Sequence, residues 1–233
     1  MKRHNLCAYW PARKELIQNC ADRLGRFLTA LSSCDPVFYD WYKQGTSRRK
    51  ALQTKFDFRN EVQILDLLEH GKHRKDIGKK VIEELGYSIG LWNGGKSIKM
   101  VGLSVTCGLY STVAGLGGNC LILDLPEDLG DLQQSERMAA VLTTVATSWE
   151  PDWAGVFSVD AMNTRDYNAA VPFVDWMLYV SHKLAPAPLT VESSQAINGI
   201  GTLIVVEQSA EAGEIAGHLE RVKAVEFALG LRS

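Results

Sequence analysis

One stretch of the sequence carries the residue types of two catalytic sites. Residues 86–90 read Gly-Tyr-Ser-Ile-Gly, the G-x-S-x-G pattern in which a serine hydrolase presents its nucleophile. Such a serine needs a histidine as general base and a carboxylate that orients this histidine. Acyl transfer at Ser88 is therefore the first chemistry that the sequence raises. Candidates for the general base of Ser88 and for the carboxylate that orients it lie further along the chain. The histidines are His182 and His218, and the carboxylates are Asp160, Asp166 and Asp175.

The same stretch continues into a second pattern, that of a phosphate-binding loop. Residues 90–97 match G-x-x-x-x-G-K-S, and Leu121–Asp124 has the form of the acidic strand that accompanies such a loop. In a working loop, backbone N–H groups at a helix N-terminus hold the phosphates, and the lysine reaches them. An NTP-binding enzyme that uses Gly90–Ser97 is therefore the second chemistry.

Both sites depend on the order of the elements around them. A nucleophile elbow needs a strand before the serine and a helix after it, and a phosphate loop needs a helix that begins at its lysine. The sequence predicts another order, which is a helix from Asp76 to Leu85, a strand at Tyr87–Trp92, a tight hairpin at Asn93-Gly94 and a strand at Ile98–Val105. The hydrolase is set aside on this ground, and the NTP-binding enzyme is kept as the alternative function.

The remaining sequence alternates between extended and helical patterns. Strands are predicted at His4–Trp10, Cys120–Leu125, Ala154–Val159, Val174–Ser181 and Thr202–Glu207. Helices are predicted from Pro11 to Leu31, around Ala51, from Asn60 to His70, from the Asp131–Gln134 region to Trp149, and from Ile215 to Leu229. A turn is expected at 115–118 and an irregular link at 186–188.

This grouping of strands in runs, with helices between them, predicts the fold class. We expect an α+β fold with a mixed, mainly antiparallel sheet that is flanked by helices. A chain of 233 residues fits one domain over 1–233, with two lobes, 1–130 and 131–233, as a finer division.

Composition excludes several classes of protein. Hydrophobic residues make up 46% and charged residues 22%, which is ordinary for a globular chain with a core. No apolar run approaches the ~20 residues that cross a bilayer, and no secretory signal follows the basic start, so we expect a cytoplasmic protein. The 5 cysteines are scattered, and the pair His70 and His73 stands among basic residues, so no disulfide, metal site or cofactor is expected.

The charge of the chain is unevenly distributed. Residues 1–100 contain 19 Lys and Arg against 11 Asp and Glu, a net charge of +8, whereas residues 101–233 contain 6 against 16, a net charge of −10. The acidic half indicates a basic partner, and complementary surfaces of one domain are the alternative explanation. The basic cluster at Lys72–Lys75 has no aromatic residues among its charges, so direct binding of nucleic acid is not expected.

Two tryptophans lie in polar, loop-like segments beside acidic residues. Trp41 follows Asp40, and Trp153 follows Asp152. Exposed aromatic side chains with polar neighbours are frequent anchors of protein interfaces. We therefore expect these two tryptophans to be exposed and to contact a partner.

Taken in order, several stretches give the chain a family resemblance. It resembles the immunity protein 52 family of bacterial polymorphic toxin systems. The stretches are Tyr9-Trp10 with Arg13, Phe38 and Trp41 with Gly45–Arg48, Gly86–Gly94, Cys107-Gly108, Asn119–Pro126, Trp149–Trp153, Val174–Tyr179 and Gly201–Val206. Within them, Phe38, Trp41, Asp152 and Trp153 match aromatic and acidic positions of the family.

The resemblance implies an α+β protein without catalytic residues. It also implies one protein partner, a cognate toxin with a restriction-endonuclease-like nuclease domain, of a kind delivered by type VI secretion. A DNA-cutting toxin has a basic cleft, which an acidic surface can find quickly and cover. We expect a monomer that contacts this cleft without binding nucleic acid or membrane itself. The candidate contact residues are Asp40, Trp41, Asp124, Glu127, Asp128, Asp131, Glu150, Asp152 and Trp153.

Overall fold

A computed structural model describes residues 2–113, 118–185, 194–211 and 216–231. These residues form two compact units. One unit, 10–123, has 17 Lys and Arg against 11 Asp and Glu, a net charge of +6, and is called the basic unit. The other unit, formed by 1–9 and 124–233, has 8 against 16, a net charge of −8, and is called the acidic unit.

The acidic unit is built on five strands. They are β1 (His4–Trp10), β7 (Trp153–Ser158), β8 (Met177–Ser181), β9 (Ser194–Ile197) and β10 (Gly201–Val205), in the spatial order β1-β7-β8-β10-β9. Each neighbouring pair is antiparallel, with Cys7 opposite Gly155 and Leu203 opposite Tyr179. Helix α4 (Ser135–Trp149) packs on β7, β8 and β10 through an apolar face that includes Val141, Leu142 and Val145.

Two further helices complete the acidic unit. Helix α5 (Val159–Thr164) follows β7, and Ser158 caps it by accepting a hydrogen bond from the Ala161 N–H. Helix α6 (His218–Ala228) begins after Gly217, which has a positive φ of 76°. Strand β10 begins at Gly201, where the backbone lies very close to β8. Glycine is required at this position because any side chain would clash with the carbonyl oxygen of Val180.

The basic unit also contains five strands. They are β2 (Trp41–Lys43), β3 (Lys55–Phe56), β4 (Tyr87–Trp92), β5 (Gly102–Cys107) and β6 (Asn119–Asp124), in the spatial order β3-β2-β4-β5-β6. The pairs β3/β2, β2/β4 and β4/β5 are antiparallel. Its helices are α1 (Ile17–Leu31), α2 (Arg48–Ala51) and α3 (Glu61–His70), and α1 packs against α3.

The predicted α+β class with a mainly antiparallel sheet is confirmed, as are most of the elements. β1 and β4 have the predicted bounds. Asn60 caps α3, since its side chain accepts hydrogen bonds from the N–H groups of Val62 and Gln63. The prediction missed the short elements β2, β3, β9 and α5, and placed the start of β8 at Val174 instead of Met177. The link at 186–188, residues 115–117 of the predicted turn, and Ile215 lie outside the described residues.

Three local predictions were wrong. No α-helix forms between Asp76 and Leu85, because Gly78 and Lys79 have positive φ and turn the chain so that Arg74 pairs with Val81. Only a 3-10 turn forms there, at Glu83–Leu85. Helix α1 begins at Ile17 and not at Pro11, since the extended segment before it is held by the Arg13 N–H, which donates to the Leu109 carbonyl at 2.8 Å.

The third error concerns the predicted tight hairpin at Asn93-Gly94. Strands β4 and β5 pair as far as Trp92 opposite Gly102, so residues 93–101 form a wide loop. The side chain of Asn93 organises this loop, because its Oδ1 accepts hydrogen bonds from the N–H groups of Gly95 and Val101, both at 2.9 Å. Asparagine side chains often replace backbone partners in turns in this way.

Candidate partner-binding surface

The acidic segment that the sequence singled out begins where β6 ends. Leu125 is buried, and its N–H donates to the His4 carbonyl at 3.0 Å, which fixes the segment beside the start of β1. Asp128 then accepts a hydrogen bond from the Gly130 N–H at 3.3 Å, and a short 3-10 turn leads into α4. This turn keeps the carboxylates at the surface while Leu132 is buried beneath them.

Two of these carboxylates line a cavity of about 230 Å³ in the acidic unit. Glu127 and Asp128 form one wall, and Glu211, from the segment after β10, is part of the same lining. Lys2 supplies the cavity's positive charge, while burial lowers the pKa of His4 and so favours its neutral form near pH 7. This concave site, called the acidic pocket, is therefore net negative. No pattern in the sequence points to Glu211, which tertiary structure brings to the acidic pocket.

The other two carboxylates of the segment lie outside the acidic pocket lining. Asp124 is exposed at the end of β6, where partial desolvation raises its pKa and the charge of Arg3 opposes the rise. Asp131 is exposed in the 3-10 turn, and its backbone carbonyl accepts from the Gln134 N–H. Both residues extend the negative surface of the segment without lining its cavity.

The Glu150–Trp153 turn forms a second, separate acidic site. Glu150 ends α4 in the left-handed conformation, and the Asp152 N–H donates to the Tyr9 carbonyl at 2.8 Å. Burial, followed by the nearby charges of Glu150 and Asp152, raises the pKa of Tyr179 to about 12. Because Tyr9 and His4 are five residues apart on one strand, this turn and the acidic pocket are separated by roughly 17 Å along β1.

The prediction that Trp41 and Trp153 are exposed was wrong. Trp153 is 2% exposed, with its ring 4.9 Å from that of Tyr9, and its indole N–H donates to the Ala169 carbonyl at 3.1 Å. Trp41 is fully buried and donates to the Phe38 carbonyl at 3.0 Å. Both segments that appeared loop-like are strand starts, and strand pairing turns the indole rings inward. Asp40 is exposed and forms an ion pair of 2.7 Å with Lys55.

These positions predict a structural role for Trp153. The substitution Trp153→Phe is expected to lower the free energy of unfolding by about 1–3 kcal/mol, because the Ala169 carbonyl loses its partner. Urea unfolding of the variant measures the loss. Binding of a partner should change by less than about threefold, since the indole is not at the surface. A large loss of partner binding by a stably folded variant would contradict this assignment.

Neither catalytic pattern forms its site. Ser88 lies within β4, where its hydroxyl bonds to His73 Nε2 at 2.9 Å and to the Thr106 hydroxyl at 3.0 Å. No elbow presents it, because the chain enters from a 3-10 turn and leaves along a strand. Gly86 is required by packing, since it has a positive φ of 62° and a side chain there would clash with the Cys107 carbonyl.

The phosphate-loop pattern fails on the same ground. Gly90 is in the middle of β4, and residues Ser97–Lys99 form a single 3-10 turn instead of the helix that a phosphate loop needs. The N–H of Gly95 already donates to Asn93, and that of Lys99 donates to the Lys96 carbonyl at 3.1 Å. Two backbone donors of this loop are therefore already engaged within it.

The acidic unit contains a buried network of charges that sequence reasoning did not find. His218, the first residue of α6, bonds through Nε2 to Asp175 at 3.0 Å and through Nδ1 to Glu207 at 3.1 Å. Arg221 donates to Glu207 at 2.8 Å, and the N–H of Ser158 donates to Asp175 at 2.9 Å. The hydrogen bond to Asp175, opposed by burial and supported by Glu207, raises the pKa of His218.

This network ties α6 to the ends of β8 and β10. Asp175 precedes β8 and Glu207 follows β10, and both carboxyl groups are more than nine-tenths buried. The sequence had named His218 and Asp175 as catalytic partners, and the structure does join them. The imidazole, however, has a carboxylate at each nitrogen and so has no nitrogen left to act as a general base for a serine.

Within the described part of the chain, no group of His, Cys, Asp and Glu side chains has the arrangement of a metal site. Across the same residues, no helix combines the length and the apolar character that crossing a bilayer requires.

Comparisons with known proteins agree with the resemblance noted in the sequence. The family model described as immunity protein 52 matches residues 4–226. No curated protein matches the chain. A solved structure of the Pseudomonas aeruginosa T6SS protein PA0821 is similar in fold, with a TM-score of 0.56, 12% sequence identity, and coverage of 98% of this chain and 72% of that chain. With nearly its whole length matched by the family model, the chain belongs to the immunity protein 52 family.

Proposed function

We propose that this protein binds one cognate nuclease toxin and neutralises it by covering the toxin's DNA cleft or active site. Membership of the immunity protein 52 family is the observation that carries the proposal, because such a protein implies a toxin as its partner. The fold similarity to a type VI secretion protein supports a toxin delivered by that system. The function requires no catalysis by this chain, and we place the chain in the cytoplasm as a monomer.

The acidic pocket supplies the chemistry for binding a basic cleft. Nuclease clefts are lined with Lys and Arg, since phosphate contacts dominate their affinity for DNA. Glu127, Asp128 and Glu211 surround a cavity of about 230 Å³, which is large enough to receive a basic side chain of a partner. The net charge of −8 on the acidic unit adds long-range attraction, which accelerates association with a positively charged surface.

The nine predicted contact residues contribute unequally to this proposal. Glu127 and Asp128 form its centre, and Asp124 and Asp131 extend the same negative surface. Glu150 and Asp152 form a second acidic site about 17 Å away along β1, which is within the span of a standard protein interface. Trp41 and Trp153 support neighbouring strands from the core, and Asp40 has its charge balanced by Lys55.

Co-expression with the adjacent reading frame tests the proposal. That frame, expressed alone from an inducible promoter in Escherichia coli, should stop growth and degrade plasmid DNA, and this chain should restore both growth and intact DNA. In vitro, the purified chain should inhibit cleavage of linear DNA at a one-to-one ratio. The proposal is wrong if the neighbour is harmless, or if its toxicity persists although this chain is present in a folded form. If this chain rescues growth from a toxic neighbour that leaves DNA intact, the immunity function stands, but the proposal that the toxin is a nuclease is wrong.

A further inference from the structure

The basic unit has an open groove of about 460 Å³ that the proposed function does not use. One wall comes from α2 and the residues before it, and the other from the loop 93–101. Between them lies the ring of Trp92 at the end of β4. We call this feature the basic groove, and it is defined by Gln44, Arg48, Ala51, Trp92, Lys96 and Met100.

Local hydrogen bonds hold both walls of the basic groove in place. Ser47 caps α2 by accepting from the Lys50 N–H, and its carbonyl accepts from the Ala51 N–H at 2.9 Å. Asn93 fixes the loop 93–101 through its side chain, as described above. Arg48 connects the two walls, because its guanidinium donates to the Gly94 carbonyl at 3.1 Å. The groove is therefore preformed, which lowers the entropic cost of binding a ligand.

The charge of the two wall segments is entirely positive. Residues 44–54 and 93–100 contain five cations and no Asp or Glu. Elsewhere in the basic unit, cations such as Lys43 and Lys72 are paired with carboxylates. Within the described residues, by contrast, none of the five forms an ion pair. The cations are Arg48, Arg49, Lys50, Lys96 and Lys99.

The groove also exposes apolar surface beside these charges. Met100 is 55% exposed and lines the groove together with Ala51 and Trp92. The neighbouring Ile98, outside the lining, is 39% exposed. An apolar centre with a charged rim is the arrangement of a protein interface, in which one anchor side chain is buried and the surrounding charges select the partner.

Phosphate ligands and nucleic acid fit this groove less well. The N–H groups of Lys50, Ala51, Gly95 and Lys99 are already bonded within the walls, so they are not available to surround a phosphate. Nucleic-acid bases need free aromatic faces on which to stack. Trp92 has the Tyr42 ring at 6.0 Å and the Arg48 guanidinium at 5.8 Å, so its faces are partly occupied.

From this juxtaposition we propose that the basic groove is a docking site for an acidic segment of a protein partner, which inserts one apolar side chain between Ala51, Trp92 and Met100. The carboxylates of the segment would pair with Arg48 and Lys96 on the two walls. This site is independent of the proposed toxin contact, because it lies in the basic unit and selects the opposite charge. The protein would then have two docking surfaces of opposite charge, the acidic pocket and the basic groove.

Selection from a phage-displayed random peptide library, with the full-length chain as bait, tests the partner chemistry without the toxin. We expect enriched peptides that combine several Asp or Glu residues with one Leu, Ile, Met or aromatic residue. A synthetic copy of the best peptide should lose about tenfold or more in affinity for the double variant Arg48→Glu, Lys96→Glu. It should lose about fivefold for Met100→Ser, which removes apolar contact and leaves the charge unchanged. Affinity should fall as salt rises.

The matched control is Lys75→Glu with Lys80→Glu. It makes the same change of net charge in the same unit, at an exposed turn outside the groove lining, and should bind the peptide like the wild type. Circular dichroism identifies any variant that fails to fold, and Met100→Ser then serves as the second test. Enrichment of peptides that are not acidic, or equal loss in the control, overturns the proposal.

Three other outcomes would assign the groove to a different ligand. Binding of ATP that Lys96→Ala abolishes would assign it to a nucleotide. Binding of fluorescein-labelled oligothymidylate that depends on Arg48 and Lys96 would assign it to nucleic acid. A dimer in sedimentation equilibrium that the Arg48→Glu, Lys96→Glu variant dissociates would assign it to a second copy of this chain. Each of these results overturns the proposal of an acidic protein segment.

Discussion

Replacing His218 by alanine is expected to lower the free energy of unfolding by about 3–5 kcal/mol, because it leaves two buried carboxylates without their shared partner. Asp175 and Glu207 are 4% and 6% exposed, so each carboxylate loses a hydrogen-bond donor where its charge is largely removed from solvent. Urea denaturation followed by circular dichroism measures the loss as a change of midpoint. A loss below about 1 kcal/mol would contradict the role given to the network.

The balance of charges in the network explains why its histidine matters. Three carboxyl groups, of Asp175, Glu207 and Glu226, face the cations Arg165 and Arg221 and the imidazole of His218. With His218 protonated, three positive charges meet three negative charges, and both ring nitrogens donate. With His218 neutral, one buried negative charge is left unbalanced, and one carboxylate loses a donor.

The same geometry gives the effect a pH dependence of defined sign. The pKa of His218 is raised in the folded protein above its ordinary value of 6.5, chiefly by the hydrogen bond to Asp175. Its stabilising contribution is therefore complete below pH 6.5 and is lost as the pH rises through the folded-state pKa. The difference in unfolding free energy between the wild type and His218→Gln should accordingly shrink between about pH 6 and pH 9.

His4 provides a control of opposite sign. Burial is the main cause that lowers the pKa of His4, and its ring bonds to the Ala210 carbonyl at 3.0 Å. Protonation of His4 is thus disfavoured by folding, and stability is lost as the pH falls below 6.5. The difference between the wild type and His4→Gln should grow as the pH rises to neutrality. The same direction of change for both variants would indicate a general effect of pH and not these two side chains.

Reversing the charge of the acidic pocket is expected to weaken toxin binding by about 100-fold or more at low salt. The change is Glu127→Lys with Asp128→Lys, which converts one wall of the cavity from negative to positive. If the pocket receives a basic side chain of the toxin, the variant places like charges together and also loses long-range attraction. Surface plasmon resonance against the toxin measures both rate constants, and the slope of affinity against salt should flatten.

A matched control separates this local effect from the change of net charge. Asp22→Lys with Asp76→Lys alters the charge of the chain equally, at exposed positions of the basic unit. At physiological salt we expect this control to bind within about threefold of the wild type, because neither residue lines the acidic pocket and salt screens exposed charges beyond about 8 Å. Equal losses in both variants would show that net charge alone drives association. Unchanged binding in both would place the toxin contact away from the acidic pocket.

Much of the fold followed from local patterns in the sequence. Strands β1 and β4 have the predicted bounds, and Asn60 caps α3 as predicted. These features were predictable because the alternation of residue types and the chemistry of a helix cap act over a few neighbouring residues. The prediction of a helix from Asp76 was wrong. Apolar residues there have helical spacing, but this spacing does not show that Gly78 and Lys79 have positive φ or that Ile77 is 92% exposed.

The candidate sites depended much more on distant contacts. The sequence identified the acidic segment at Glu127 and Asp128, but Glu211 joins them from more than 80 residues away. It placed Trp41 and Trp153 in loops by their polar neighbours, whereas strand pairing buries both rings. Neither error could be corrected locally, because burial is decided by which strand pairs with which.

The residues in order were enough to predict the family, the α+β class, the uneven charge and the failure of both catalytic patterns, because each follows from residue order and neighbouring elements. Which charges meet depends on the three-dimensional fold. It joins His218 to Asp175 and Glu207 in a buried network, and among the described residues no carboxylate pairs with the five cations of the basic groove walls. Electrostatic and packing energies depend on distance and burial in space, and both are set by contacts between residues far apart in the chain.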